Sequence, residues 1–237
     1  MRIGVFDSGL GGVNVLKSLI KKYPNNEYIY FGDTKNLPYG NKSKEELMHL
    51  ASNAIDFLLT KNVDIIIIAC GTISSNCYHE LKEKYHLPIY DIISPTIKYL
   101  ENSKWDKIGV IGTSKTIESN IFDLSNKKVL MKATPNLVPI IENNHVLENK
   151  EEIINDLMCF KDYDVLVLGC THYPVLKDII EDDLNIKTLD MGEVLTNQIS
   201  LANDDRYQLE LYFSLISANL VMSINNILKD DYQIYLK

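Results

Sequence analysis

The chain predicts an α/β fold: two pseudo-symmetric domains with mostly parallel sheets covered by helices, and an active site at the interface between them. Three observations carry this. Short apolar runs rich in Ile and Val alternate with stretches of helical period, as in parallel sheets covered on both faces. Asp64-Ile-Ile-Ile-Ile-Ala-Cys70-Gly-Thr72 and Asp164-Val-Leu-Val-Leu-Gly-Cys170-Thr-His172 stand one hundred residues apart, and each reads as a buried strand ending in a small residue and a thiol, with a threonine close behind. Arg2-Ile-Gly-Val-Phe-Asp7-Ser8 returns as Lys107-Ile-Gly-Val-Ile-Gly112-Thr113 at nearly the same interval.

Strands are predicted over 3–6, 28–31, 64–69, 89–92, 108–111, 137–141, 164–168 and 187–189, each a run of apolar, mainly β-branched residues. The helical stretches between them have legible starts. Val13, Leu16 and Ile20 share one face of the first. Ser43 with Glu46 forms a capping-box signature, followed by the stripe Leu47, Leu50, Ala51, Ala54 and Leu58. Pro95 and Pro174 read as first-turn prolines opening helices after Ser94 and Tyr173. The segment from about 207 to 228 reads as one helix with Leu215, Asn219 and Met222 spaced along it. No low-complexity linker separates the halves, and Ser94-Pro95 is the expected boundary because a second strand-first pattern starts just beyond it.

Composition narrows the function. The 237 residues are 46% hydrophobic and 24% charged, which suits a globular protein with one or two cores. A formal charge of -8 argues against nucleic acid or an anionic membrane face as partner. The chain opens on a strand pattern with no leader-like segment, and its apolar runs are too short to span a bilayer. Four cysteines without C-x-x-C spacing fit a reduced, cytoplasmic protein.

Sites in open α/β sheets form beyond the carboxyl ends of strands. Five segments fall there: Asp7-Ser8-Gly9-Leu-Gly11-Gly12, Gly32-Asp33-Thr34 with Pro38-Tyr39-Gly40, Cys70-Gly71-Thr72, Gly112-Thr113-Ser114-Lys115-Thr116, and Gly169-Cys170-Thr171-His172-Tyr173-Pro174. They carry hydroxyls, glycines and no arginine, which points to a small anion such as an amino acid. The glycine loop after Asp7 has Asn14 where a dinucleotide fingerprint needs its third glycine. A lone cysteine is usually a buried hydrophobe, and Cys77 and Cys159, on expected helices, keep that reading. The pairing of Cys70 with Cys170 resists it: two opposed thiols suit an acid and a base on opposite faces of one carbon, as inversion of a stereocentre requires. A zinc site from Cys70, Cys170 and His172 has no ligand spacing behind it. His172 reads equally as a helix cap or as a proton relay beside Cys170. Asp7 reads as a helix N-cap or as the matching partner of Cys70. Tyr39 reads as part of a turn, and Glu142 as a solvated strand end.

Taken together, FDSGLGG, GDTKNLPYG, GTSKT, VPIIE and LGCTHYP, in this order over most of the chain, resemble the glutamate racemases of the cofactor-independent aspartate/glutamate racemase superfamily. The resemblance implies two α/β domains facing each other, the first taking back the carboxy-terminal segment: 1–94 with 207–237, and 95–206. It implies Cys70 and Cys170 as the acid/base pair, the first serving D-glutamate and the second L-glutamate, with Asp7 assisting Cys70, and His172 and Glu142 assisting Cys170. Ser8, Pro38, Tyr39, Gly40, Gly71, Thr72, Thr113, Thr116 and Thr171 would hold the substrate. No cofactor and no metal is implied. The product would supply peptidoglycan precursors, and family members are often homodimers. Two positions depart from the pattern: Gly71, where the family usually has Asn, and Met191, where a small residue is common. Gly71 leaves open an aspartate racemase or a relative of altered specificity, and an amino-acid-binding protein without catalysis is the rival of another class.

Overall fold

The computed structural model describes residues 1–202, 205–228 and 231–237. The first part of the chain runs β1 (Arg2–Asp7), α1 (Gly12–Lys22), β2 (Glu27–Gly32), α2 (Lys44–Leu59), β3 (Ile65–Ile68), α3 (Gly71–Lys84), β4 (Ile89–Asp91) and α4 (Ile93–Glu101). The next runs β5 (Lys107–Gly112), α5 (Ser114–Glu118), β6 (Lys128–Ala133), α6 (Leu137–Glu142), α7 (Lys150–Leu157), β7 (Val165–Leu168), α8 (Lys177–Leu184), β8 (Lys187–Asp190) and α9 (Met191–Gln198). It closes with β9 (Gln208–Phe213), α10 (Ala218–Ile227) and β10 (Gln233–Leu236).

The strands form two sheets, ordered β10-β9-β2-β1-β3-β4 and β6-β5-β7-β8, and every pairing is parallel. The internal repeat seen in the sequence is a repeat of register. Ile3 pairs with Ile65 and Phe6 with Ile68 in the first sheet; Ile108 pairs with Val165 and Ile111 with Leu168 in the second. In each case the central strand is flanked by the strand that leads to a cysteine. Burial explains the Ile-rich composition, since all four residues of β3 and all four of β7 are buried.

One apolar cluster joins Ile3, Val5 and Ile67 of the first sheet to Ile108, Val110 and Val167 of the second, through Met191 and Leu195 of α9. Separate clusters lie under α2 and α3 on the first sheet, and under α7 and α8 on the second. The capping box forms as expected: Ser43 Oγ accepts from the Glu46 N–H at 3.2 Å, and Glu46 Oε2 accepts from the Ser43 N–H at 2.8 Å. Asp91 takes the capping role at α4, its Oδ2 accepting from the Ile93 and Ser94 N–H groups at 2.9 Å. That helix therefore starts before Ser94-Pro95, the expected boundary, and runs through it. Pro174 opens a 3-10 turn, Tyr173–Leu176, and α8 follows it.

Two stretches fold differently from the sequence reading. Residues 137–141, read as a strand, belong to α6, whose third residue is Pro139. A short apolar run does not distinguish strand from helix by period, and a first-turn proline has no helical hydrogen bond to lose. The actual strand is β6, a half-exposed edge with lysines at 128 and 132, which lacks the apolar density of its neighbours. The stretch 207–228 is not one helix but β9, a turn and α10, with Ser217 capping the helix by accepting from the Leu220 N–H at 3.1 Å. Polar and apolar residues alternate in Gln208-Leu-Glu-Leu, the period of a strand. β9 pairs with β2, so the carboxy-terminal segment joins the first sheet.

Candidate active site

Both cysteines sit one residue past a twin strand. The residue before each donates its amide to the central strand: Ala69 to the Phe6 carbonyl and Gly169 to the Ile111 carbonyl, both at 2.8 Å. This fixes each thiol just beyond the carboxyl end of its sheet, where a small residue is needed to turn the chain.

Cys70 occupies the N-cap of α3 and is 3% exposed. Its thiol donates to Ser8 Oγ at 3.6 Å. Burial, reinforced by the nearby Asp7 charge, pushes it up to about 12, so it is a thiol near neutrality. Gly11 rather than Asp7 is the N-cap residue of α1, and Asp7 is fully buried. Its Oδ2 accepts from the Gly9 N–H at 3.1 Å and the Gly12 N–H at 2.9 Å, which holds the glycine loop and the start of α1. Its Oδ1 accepts from Thr171 Oγ1 at 3.4 Å, a bond to the segment that carries the other cysteine.

Cys170 has a different neighbour. His172 Nδ1 lies 3.6 Å from its sulfur, and His172 Nε2 lies 3.0 Å from Glu142 Oε1. Burial by itself would favour neutral imidazole, but the hydrogen bonds and charges of Cys170 and Glu142 prevail and raise its pKa well above the ordinary range. Glu142 is the last residue of α6 rather than a strand end, and its half-buried carboxylate bonds His172 through Oε1.

The two environments open on one cavity of about 280 Å³, at the small end of ligand sites. Cys70, Cys170, His172, Ser8, Pro38, Tyr39, Gly40, Gly71, Thr72, Thr113 and Thr171 all line it. Asp7, Thr116 and Glu142 lie behind that lining, each bonded to a member of it. A hydroxyl chain crosses from one half to the other, with Thr72 Oγ1 3.0 Å from Thr113 Oγ1, which lies 3.0 Å from Thr116 Oγ1. No arginine or lysine is in the lining. Tyr39 turns its hydroxyl away, donating to Asp33 Oδ2 at 2.7 Å, and burial with the Asp33 charge drives its pKa far up, keeping the phenol neutral. Among the described residues, no three His, Cys, Asp or Glu side chains form a set that could hold a metal ion.

Sequence reasoning missed several neighbours. Asn41 lines the cavity directly beside a segment already singled out, and Ser114, inside another such segment, had no role assigned. Asn136, Val138 and Pro139 were lost when the start of α6 was read as a strand. Asp33, already within a segment singled out, is buried and accepts from Tyr39, Asn36 and Ser214, a structural role the segment alone does not disclose.

The profile of the Asp/Glu/Hydantoin racemase family matches residues 13–199. The chain belongs to that family. As a member of it, the protein is an isomerase, of the racemase type. It is 37% identical over 247 residues to a protein named glutamate racemase from Hydrogenobaculum sp., covering 99% of this chain and 95% of that one. Its structure superposes on a glutamate racemase of Bacillus anthracis with a TM-score of 0.91 at 27% identity, covering 100% and 97% of the two chains. A glutamate racemase of Francisella tularensis in complex with D-glutamate gives a TM-score of 0.84 at 30% identity, covering 100% and 97%. The two-sheet racemase architecture is thus shared across the whole length. No helix among the described residues is long and apolar enough to cross a membrane.

Proposed function

We propose that this racemase interconverts L- and D-glutamate by proton transfer at Cα between Cys70 and Cys170, without a cofactor. The observation that carries the reading is the meeting of two thiols, from equivalent strand ends of two sheets, on one small cavity.

The two thiols are prepared unequally, as a two-base reaction requires. Buried Cys70 holds its proton. The Cys170 sulfur lies beside His172, which with Glu142 behind it can take the Cys170 proton and so free that sulfur to act as the base. In the L-to-D direction the Cys170 thiolate removes the α-proton and becomes a thiol. The carbanion that forms takes the Cys70 proton on its opposite face, and the thiolate is left on Cys70. The D-to-L direction runs through the same states backwards. Between the two transfers the negative charge spreads onto the α-carboxylate, where Ser8 and the Thr72–Thr113 hydroxyl chain supply fixed donors. Asp7, bonded to Thr171 and close to Cys70, opposes charge on Cys70 and so helps return its proton.

The same reading takes an acidic amino acid as ligand, a cytoplasmic homodimer as the working form, D-glutamate for peptidoglycan precursors as the product, and 1–94 with 207–237 and 95–206 as the two units. Aspartate as the substrate, or binding without catalysis, has no observation of its own in its favour. In heavy water, either glutamate enantiomer should gain deuterium at Cα and lose optical activity. Cys70→Ser and Cys170→Ser should each stop turnover. Folded protein that exchanges no α-hydrogen with either enantiomer refutes the reading.

A further inference from the structure

The cavity has a buried floor and an open rim. Cys70, Cys170, Thr171 and His172 are buried, whereas Asn41 is exposed and Ser114 half-buried, so these two lining residues stand where the cavity opens. They come from different halves of the chain. Asn41 ends the 3-10 turn Tyr39–Asn41, which packs against α5, and Ser114 is the first residue of α5. The residues just before them meet, since a Cβ built on Gly40 would lie 3.0 Å from the Thr113 Cβ. Thr113 is itself fixed, its Oγ1 accepting from the Thr116 N–H at 3.2 Å.

The side chains of this pair are uncommitted. The Thr72 and Thr113 hydroxyls are bonded to each other, and Thr171 donates to Asp7. Among the described residues, the Asn41 amide and the Ser114 hydroxyl have no hydrogen-bond partner. The lysines that follow them, Lys42 and Lys115, are not in the lining, and Lys115 pairs with Glu118 at 2.7 Å. An acidic amino acid brings two carboxylates into a cavity without a cation, so the second must be held by neutral donors, whose hydrogen bonds to an ionised group are strong.

We propose that Asn41 and Ser114 grip the distal carboxylate of the substrate, one from each half, and so select a dicarboxylic amino acid. With Cα between the thiols on the floor, the side chain of the substrate extends toward the rim, where the amide and the hydroxyl wait. The inference rests on the two-cysteine racemase reading and adds specificity residues to it.

The test is the kinetics of Asn41→Ala, Ser114→Ala, Asn41→Asp and Asn41→Lys with both glutamate enantiomers. Each alanine variant should raise KM roughly tenfold or more, with kcat within about threefold. The sign of charge separates direct contact from a structural role: Asn41→Asp should raise KM beyond Asn41→Ala, and Asn41→Lys should hold it below. 2-Aminobutyrate, which has the α-groups but no second carboxylate, should inhibit wild type and Asn41→Ala alike. KM within twofold of wild type in both alanine variants overturns the inference, as do equal KM values for Asn41→Asp and Asn41→Lys, or weaker inhibition of Asn41→Ala by 2-aminobutyrate. Wild-type protein inactive on both enantiomers refutes the racemase reading instead.

Discussion

His172 Nδ1 stands 3.6 Å from the sulfur of Cys170, and at the same distance the sulfur of Cys70 has the Ser8 hydroxyl. The two thiols are equivalent by register and unlike by chemistry, one facing an imidazolium and the other a neutral hydroxyl. This asymmetry has measurable consequences.

Alkylation should distinguish the thiols. With iodoacetamide near pH 7, Cys170 should react before Cys70, and reaction at Cys70 should climb as pH rises toward its value of about 12. Peptide mapping of partially modified protein reads this directly. Preferential modification of Cys70 at neutral pH would contradict the assignment of the resting proton.

His172→Asn should remove the imidazolium while keeping the size of the side chain close. Turnover should fall by roughly 10²–10⁴-fold, with slower alkylation of Cys170 at pH 7. Unchanged alkylation would mean that His172 does not govern that sulfur.

Glu142→Gln should leave the hydrogen bond to His172 but delete its charge. The raised pKa of His172 depends partly on that carboxylate, so it should drop. The imidazolium would then be lost at lower pH, and the alkaline limb of the rate profile should move to lower pH. An NMR titration of the His172 ring in both proteins measures the shift.

Ser43→Ala removes the N-cap of α2, an exposed residue outside the cavity lining. It should cost about 1 kcal/mol in urea unfolding and leave kcat unchanged. A fall in kcat at full folding would show that α2 couples to the site.

Much of this arrangement was legible from the residues, and for a physical reason. Strands buried on both faces, such as β3 and β7, leave a dense apolar signature, and a thiol at the end of each marks the same place twice. Residues 137–141 and 128–133 were misjudged together: an apolar first turn with Pro139 imitates a strand, while an edge strand flanked by lysines does not look like one. β9 was hidden because Leu209 and Leu211 fit either period over so short a run, and its partner β2 lies far away in sequence. Asp33 stood in a segment already singled out but had no role there, since its value comes from Tyr39 and Ser214 arriving from different elements.

β9 reaches back past the whole second sheet to pair with β2. During synthesis, the strands of the second sheet have all emerged once residue 190 is made, while β2 waits with a bare flank until residue 213 follows. Every residue lining the cavity is encoded by position 172. A message cut short after that point would yield a product with its whole chemistry present and an open sheet edge, a template for clumping on the ribosome's output.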